Sequence, residues 1–350
     1  MLKDKELNNF FISITEMASP SGFEKKVQEL FSLFAHQYAD EVFSDVNGNC
    51  IAMKKGKGSL KVMITAHIDE IGFMVKYIDE QGYLWFRPIG GVDSALLPGL
   101  GVRVIHEGET HFGIVGRKPI HLLEESERKS VNADDLWIDI GAKDKAEALQ
   151  MAAVGDIITL QPGIKKLGNS MFASRSADNK LGVLVLAAVL KNLSGQEPDA
   201  NLYFVSSVQE EIGLRGAITS TSLIKPDQAL VLDVTHATDY PSVNKNIHGD
   251  IRLGLGAVLA VSPEIHPEIN RIMKEISAKK GLSLQTEARP VATGTEARMV
   301  QVTGTGVATG LLSIPVRYMH SPNEMFSLSD VEDAIKLVTE FCKIHHEPII

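Results

Sequence analysis

The chain has 350 residues, 44% of them hydrophobic, with Lys plus Arg totalling 35 against 44 Asp plus Glu and a formal charge of −9. That length suits one large domain or two around a sizeable core, and the acidic balance excludes the broad basic surface that a nucleic acid requires. The opening MLKDKELNNFFISITEM lacks the basic-then-apolar order of a signal peptide, and the longest strongly apolar run, LGVLVLAAVL, is half of what spans a bilayer, so a cytoplasmic protein with no membrane partner is expected.

Residues 23–39 carry helical apolar spacing after the turn-forming SPSG, and DVNGN marks a turn before the strand-like LKVMITAH. From about 72 to 164 the texture changes to short apolar segments broken by Gly and charged turns, such as GFMVKYIDEQGYLWF, VRVIHEGETHFGIVG and GDIITLQPG. This reads as a small β-rich unit. Strands and helices then alternate: a helix at 178–193, strands NLYFVSS and QALVLD, a helix at 264–280, and strands LSLQT and GVATGLL. A last helix is opened by Ser329, with Glu332 in capping-box spacing. The expected fold is therefore α/β, a discontinuous domain of residues 1–71 and 165–350 interrupted by a β-rich insert at 72–164. No repeat suggests a solenoid. Cys50 and Cys342 are too far apart for a zinc knuckle or a disulfide framework, and Cys342 falls on the apolar stripe Val331, Ala334, Ile335, Val338 and Phe341, which assigns it to the core.

The sequence SSVQEEIGLRGA places Glu210 and Glu211 side by side just beyond a strand. His67 in MITAHIDEIG, Asp178 in SRSADNKLG, Asp233 in LVLDVTHATD and His320 in VRYMHSPNEM occupy comparable places, at strand ends or in a turn opening a helix. In open α/β sheets such ends face a common crevice, so distant segments can converge there. Two imidazoles with three carboxylates suit divalent zinc, cobalt or manganese. Two ions roughly 4 Å apart can share a water, acidify it and polarise a carbonyl. Neighbouring side chains of extended backbone point to opposite sides, so one glutamate can bind metal while the other acts as general base; spacing does not assign which. Asp69, two residues after His67, can orient the imidazole or be a ligand itself. His106, His111, His266, His345 and His346 are read as surface residues.

At these residues the sequence resembles the tetrahedral (TET) aminopeptidase family of dinuclear cobalt- or zinc-dependent metallopeptidases, which includes glutamyl and deblocking aminopeptidases and whose members are often labelled endoglucanases. The likeness runs nearly end to end through AHIDEIGFMV, KPIHLL with ERK following, DLWIDIGAKDKAEA, SADNKLG, VQEEIGLRGA, LVLDVTHATD and MHSPNEM. It implies a mixed-sheet α/β/α metallopeptidase domain carrying a barrel-like dimerisation insert, with dimers assembling into a hollow dodecamer that small or unfolded peptides enter. It implies metal ligands His67, Asp178 and Asp233 on one side and Asp178, Glu211 and His320 on the other, with Asp178 bridging. Glu210 becomes the general base and Asp69 the partner of His67. The implied reaction is removal of the N-terminal residue of short peptides through a metal-bridged hydroxide.

Three positions depart from the family pattern: Lys180 where Arg is frequent, Glu296 where Asp is more usual, and DYPSVNK after the Asp233 segment. The latter two are expected to border the substrate pocket, which leaves the first-residue preference open. His121 is a candidate to reach a neighbouring subunit's site or to serve the insert structurally. Two other chemistries compete. A deacylase acting on acylated amino acids or blocked peptides would use the same metals. A glycosidase would use paired carboxylates without needing two histidines, and the chain has only two tryptophans for sugar stacking. A non-catalytic shell would need a damaged ligand set, and none of the expected positions is damaged.

Overall fold

The computed structural model describes residues 2–125 and 130–349. Asp4 accepts from the backbone N–H groups of Glu6 and Leu7 and caps α1 (Lys5–Glu16), whose apolar face buries Leu7, Phe10, Phe11 and Ile14. The sequence reading takes 23–39 as its first helix; the structure adds α1 before it and shortens the expected helix to α2 (Lys25–Ala35).

The first strands are β1 (Glu41–Ser44), β2 (Cys50–Lys54) and β3 (Lys61–His67). A closed antiparallel barrel follows, made of β4 (Gly72–Ile78), β5 (Leu84–Ile89), β6 (Gly101–His106), β7 (Glu109–Gly116), β8 (Trp137–Asp139) and β9 (Ile157–Leu160) in the order β4-β5-β8-β7-β6-β9. Side chains alternate in and out along these strands, and Phe73, Val75, Leu84, Phe86, Val102, Val104, Val115, Ile138 and Ile158 fill the interior. The short helix α3 (Lys145–Ala148) closes one flank, capped by Asp144.

The remaining strands are β10 (Lys165–Leu167), β11 (Met171–Ser174), β12 (Asn201–Ser207), β13 (Gln228–His236), β14 (Ala257–Val261), β15 (Leu284–Ala288), β16 (Ala308–Arg317) and β17 (Glu324–Ser327). With β1 to β3 they form, among the described residues, an eleven-stranded mixed sheet whose path is β1-β2-β12-β3-β13-β16-β17-β11-β10. The central strands β12, β3, β13 and β16 are mutually parallel. The far edge of β16 is shared: β14 pairs with Leu312 and Ser313, and β17 with Val316 and Arg317.

The helices α4 (Ala177–Asn192), α5 (Arg215–Ile224), α6 (Lys245–His248), α7 (Pro267–Lys280), α8 (Ala297–Val300) and α9 (Leu328–Lys343) complete the fold. Every residue of α4 from Ala177 to Leu190 is buried, as an all-round apolar helix must be. It packs with α1, α2 and α9 on the sheet face that carries Val62, Ile64, Ala66, Leu230, Leu232 and Val234. The opposite face, with Met63, Ala229 and Val231, is covered by Ala217 and Ile224 of α5 and Ala297 and Val300 of α8. Strand alternation places His67 and Asp233 on that second face.

Cys342 lies in the core. The last helix starts one residue before Ser329: Ser327 is its N-cap and makes no side-chain cap bond, its hydroxyl lying 2.8 Å from that of Ser329. His346, expected on the surface, is instead buried, with Nδ1 3.0 Å from Gln228 Oε1 and Nε2 3.0 Å from Phe341 O. Burial pushes its pKa down to about 4, so the ring is neutral and its single N–H donates to one of these two oxygens. Among the described residues no helix is long and apolar enough to cross a membrane.

Candidate active site

The parallel register sets His67 at the end of β3 opposite Ser207 at the end of β12, and Asp233 of β13 opposite Ser313 of β16. These carboxyl-terminal strand ends form the crevice where an open α/β sheet binds ligands. Asp178 enters from the turn opening α4, where the Asp178–Asn179 peptide is cis and the Asn179 amide donates to Leu232 O at 2.8 Å. His320 follows β16 in a left-handed conformation, φ 58°.

Glu324 joins these last two segments. Its Oε2 accepts from Asp178 N at 2.9 Å and its Oε1 from His320 N at 2.8 Å. The sequence reading quotes this residue within MHSPNEM and gives it no role; its place four positions after a candidate ligand was the available signal.

Asp69 does comparable work on the other side. Its Oδ1 accepts from Glu210 N at 3.1 Å, and its Oδ2 from Glu211 N at 3.2 Å and the Ser21 hydroxyl at 2.6 Å. His67 Nδ1 lies 3.2 Å from the Asp69 backbone carbonyl and 3.5 Å from its Oδ1. The imidazole is therefore oriented mainly by the carbonyl, while the carboxylate holds the backbone of the glutamate pair.

Two groups of donor atoms result, His67 with Asp178 and Asp233, and Asp178 with Glu211 and His320, and within each the atoms lie within 4.8 Å of one another. His67 Nε2 is 3.2 Å from Asp178 Oδ1 and 3.7 Å from Asp233 Oδ1. His320 Nε2 is 3.3 Å from Asp178 Oδ2 and 3.4 Å from Glu211 Oε1. Asp178 thus offers one oxygen to each group. Glu210 and Asp69 belong to neither, and Glu210 lines the cavity beside them.

The electrostatics explain what such a site accepts. Burial raises the pKa of Glu211 and Asp233 and pushes Glu210 up to about 10. Burial would lower His67, but the Glu210 charge and bonds to Asp178, Asp233 and Asp69 hold it well above the ordinary imidazole value. Bonds to Asp178 and Glu211 raise His320 to about 11. Burial opposes ionisation of Asp178, yet bonds from His320 and His67 keep its carboxyl below the usual range. Glu324 is raised well above its ordinary value by burial and by the Asp178 charge. Carboxylates that resist ionisation beside imidazoles that keep their protons mark a site crowded with negative charge. The mixed nitrogen and oxygen donors fit divalent cations.

A cavity of about 180 Å³ opens over these residues and adjoins a larger one of about 570 Å³; His236, Glu287 and Arg289 line both. The departures from the family pattern divide between these surroundings. Tyr240, Ser242, Val243 and Lys245 of DYPSVNK line the larger cavity. Glu296, expected at the pocket, is instead buried and accepts from the Thr65 hydroxyl at 2.8 Å, and the preceding Thr293, Gly294 and Thr295 line the cavity. Lys180 is wholly buried, with Nζ 3.1 Å from Met17 O and 3.6 Å from Glu70 Oε1. His121 is exposed in a short turn of the insert and lines neither cavity, and the ERK tripeptide lies outside the described residues.

The M42 glutamyl aminopeptidase family model matches residues 48–337. The lysyl aminopeptidase of Pyrococcus furiosus is 37% identical over 328 residues, covering 93% of each chain. The TET aminopeptidase of a marine sediment archaeon, Thaumarchaeota archaeon SCGC AB-539-E09, superposes with a TM-score of 0.93 at 31% identity, covering 98% of this chain and 97% of that one. The TET1 peptidase of Pyrococcus horikoshii, which can assemble into a tetrahedron or a large octahedral shell, does so with a TM-score of 0.86 at 29% identity over 96% and 99% of the two chains. Sequence, barrel-bearing fold and carboxylate-rich crevice agree, and the chain belongs to the M42 glutamyl aminopeptidase family of metallopeptidases.

Proposed function

We propose that this M42 peptidase removes the first residue of short peptides with two divalent ions, zinc or cobalt, held by His67, Asp178 and Asp233 and by Asp178, Glu211 and His320. The observation that carries the reading is the division of Asp178, whose Oδ1 faces His67 and whose Oδ2 faces His320. When bound, the ions would acidify water and polarise the scissile carbonyl. Glu210 lines the cavity outside both donor groups, and bound cations would offset the burial and carboxylate charges that raise its pKa, so its ionised carboxylate is the general base: it takes a proton from the attacking water and delivers it to the departing amine. Asp69 positions that base through the Glu210 and Glu211 amides. The crevice is built from residues 1–71 and 165–350, and residues 72–164 form an inserted barrel domain. Exposed Tyr77, Phe112 and Ile114 on the barrel support a dimer contact there, and the dodecamer seen for the similar PhTET1-12s structure supports assembly into a dodecamer.

The test strips the protein with chelator, restores cobalt, zinc or manganese, and follows free amino acid released from unblocked and N-acetylated peptides. Metal-restored stepwise release from unblocked peptides is expected. Turnover of acylated substrates alone would replace the reading with a deacylase. Glu210→Gln is expected to keep both ions and lose about 10²–10⁴-fold in kcat; near-normal turnover in that variant would remove Glu210 from the mechanism.

A further inference from the structure

The turn after β5 brings the barrel against one of the two donor groups. Gly90 has φ +81°, and a Cβ there would lie 3.3 Å from Glu211 Cβ, 3.4 Å from Glu211 Oε2 and 2.9 Å from Ile71 Cγ2. A Cβ on Gly91 would lie 3.3 Å from His320 Nδ1 and 3.5 Å from Cε1. His320 directs Nε2 at Asp178 and Glu211, so the turn abuts the opposite edge of its ring. The turn has a firm base. Ile89 ends β5, Asp93 caps the next short turn by accepting from Ala95 N at 2.9 Å, and Leu97 is buried in the barrel core. His67 is held differently, by Asp69 two residues along its own segment.

We propose that Gly90 and Gly91 are positioning residues of the Asp178, Glu211 and His320 metal centre, their bare backbone fixing Glu211 and His320 from the barrel side. Occupancy of that centre then depends on how the barrel is seated, and occupancy of the His67, Asp178 and Asp233 centre does not. The inference rests on the two-ion reading above. A side chain at Gly90 meets Ile71 Cγ2 first and then Glu211, and one at Gly91 meets His320; at 3.3 Å each ligand must give by a few tenths of an ångström, and at Gly90 the left-handed backbone adds strain to any substitution.

The experiment uses the full chain and its variants Gly90→Ala, Gly91→Val, His320→Ala and Gly141→Ala, stripped and titrated with Co²⁺ or Zn²⁺ against a competing chelator, with bound metal counted by elemental analysis. Gly141 is a barrel glycine with φ +78° and nothing within 4 Å of its Cβ position, so Gly141→Ala reports backbone strain alone. The wild type is expected to hold two ions. Gly90→Ala and Gly91→Val are expected to weaken the same ion that His320→Ala weakens, by about 10–100-fold, and the other by less than about threefold, the scale seen when residues supporting a metal ligand are changed. Gly141→Ala is expected to match the wild type. Equal weakening of both ions, no weakening, or the same loss in Gly141→Ala would overturn the proposal. A wild type that holds a single ion would sink the two-ion reading itself, and this inference with it.

Discussion

Glu70→Gln removes one charge from a buried cluster directly behind the active site. Glu70 Oε2 accepts from Arg175 Nη1, and Glu70 Oε1 accepts from Ser19 N at 2.8 Å with Lys180 Nζ 3.6 Å away. These basic groups also serve the end of α1: Arg175 Nη2 donates to Thr15 O at 3.0 Å and Met17 O at 3.2 Å, and Lys180 Nζ, which burial lowers to about 7 and which therefore leaves Arg175 as the full cation at pH 7, donates to Met17 O. Positive charge at a helix C-terminus is favourable in itself, but here the only anion among these groups is Glu70. Burial opposes its ionisation, yet Arg175 and Lys180 hold it at about 2 against an ordinary 4.5. That lowering corresponds to about 3 kcal/mol at roughly 1.4 kcal/mol per pH unit, and breaking a buried ion pair from one side costs about 3–5 kcal/mol. The two magnitudes agree, so Glu70→Gln is expected to lose about 3–5 kcal/mol in denaturant unfolding at pH 7. Because the folded value is depressed, the stabilisation is complete above pH 4.5 and lost as pH falls toward 2. The gap between wild type and variant must therefore narrow over that window. Glu70→Gln with Arg175→Met is expected to recover at least about 1 kcal/mol relative to the sum of the single changes. A loss below about 1 kcal/mol at pH 7, typical of an exposed pair, or a gap that does not shrink on acidification, would refute the reasoning.

Two further perturbations probe the crevice. Asp69→Asn presents an amide N–H where Asp69 now accepts from Glu210 N, Glu211 N and Ser21, so metal affinity is expected to fall about 10–100-fold together with kcat; isothermal titration with Zn²⁺ and steady-state kinetics measure both, and unchanged affinity would limit Asp69 to folding. Arg289 shares Thr235 with Glu287, which sits 3.0 Å from its Nη2, and the cavity they border also carries Lys245 and His248. A charge-assisted bond to a carboxylate is worth about 1.5–3 kcal/mol, so Arg289→Met is expected to cut kcat/KM for a glutamyl anilide at least about tenfold more than for an alanyl one. Equal losses on the two substrates would remove Arg289 from specificity.

Most residues of the crevice were legible in the sequence because they stand beyond an apolar strand-like run, His67 after LKVMITA, the glutamate pair after NLYFVSS and Asp233 after QALVL, while Asp178 stands in the turn that opens an apolar helix. The all-round apolar α4 and the alternating barrel segments were legible for the same reason, since burial writes its period into hydrophobicity. Other features left no such mark. The helix α1 carries proper spacing but sits outside the strand and helix alternation that guided the reading, and His346 looks like any polar residue near a chain end until Gln228 and Phe341 O are brought to it. Glu324, Glu70 and the Gly90–Gly91 turn act through partners up to about 230 positions away, and no local pattern records those distances. The sequence by itself determined which groups are chemically able to hold metal and move a proton, because donor type and strand termination are local properties. Only the tertiary structure decided how they are held, with Asp178 divided between two imidazoles, Asp69 turned to the glutamate amides and the barrel set against His320, because convergence in space is a property of sheet register and loop closure rather than of any one segment.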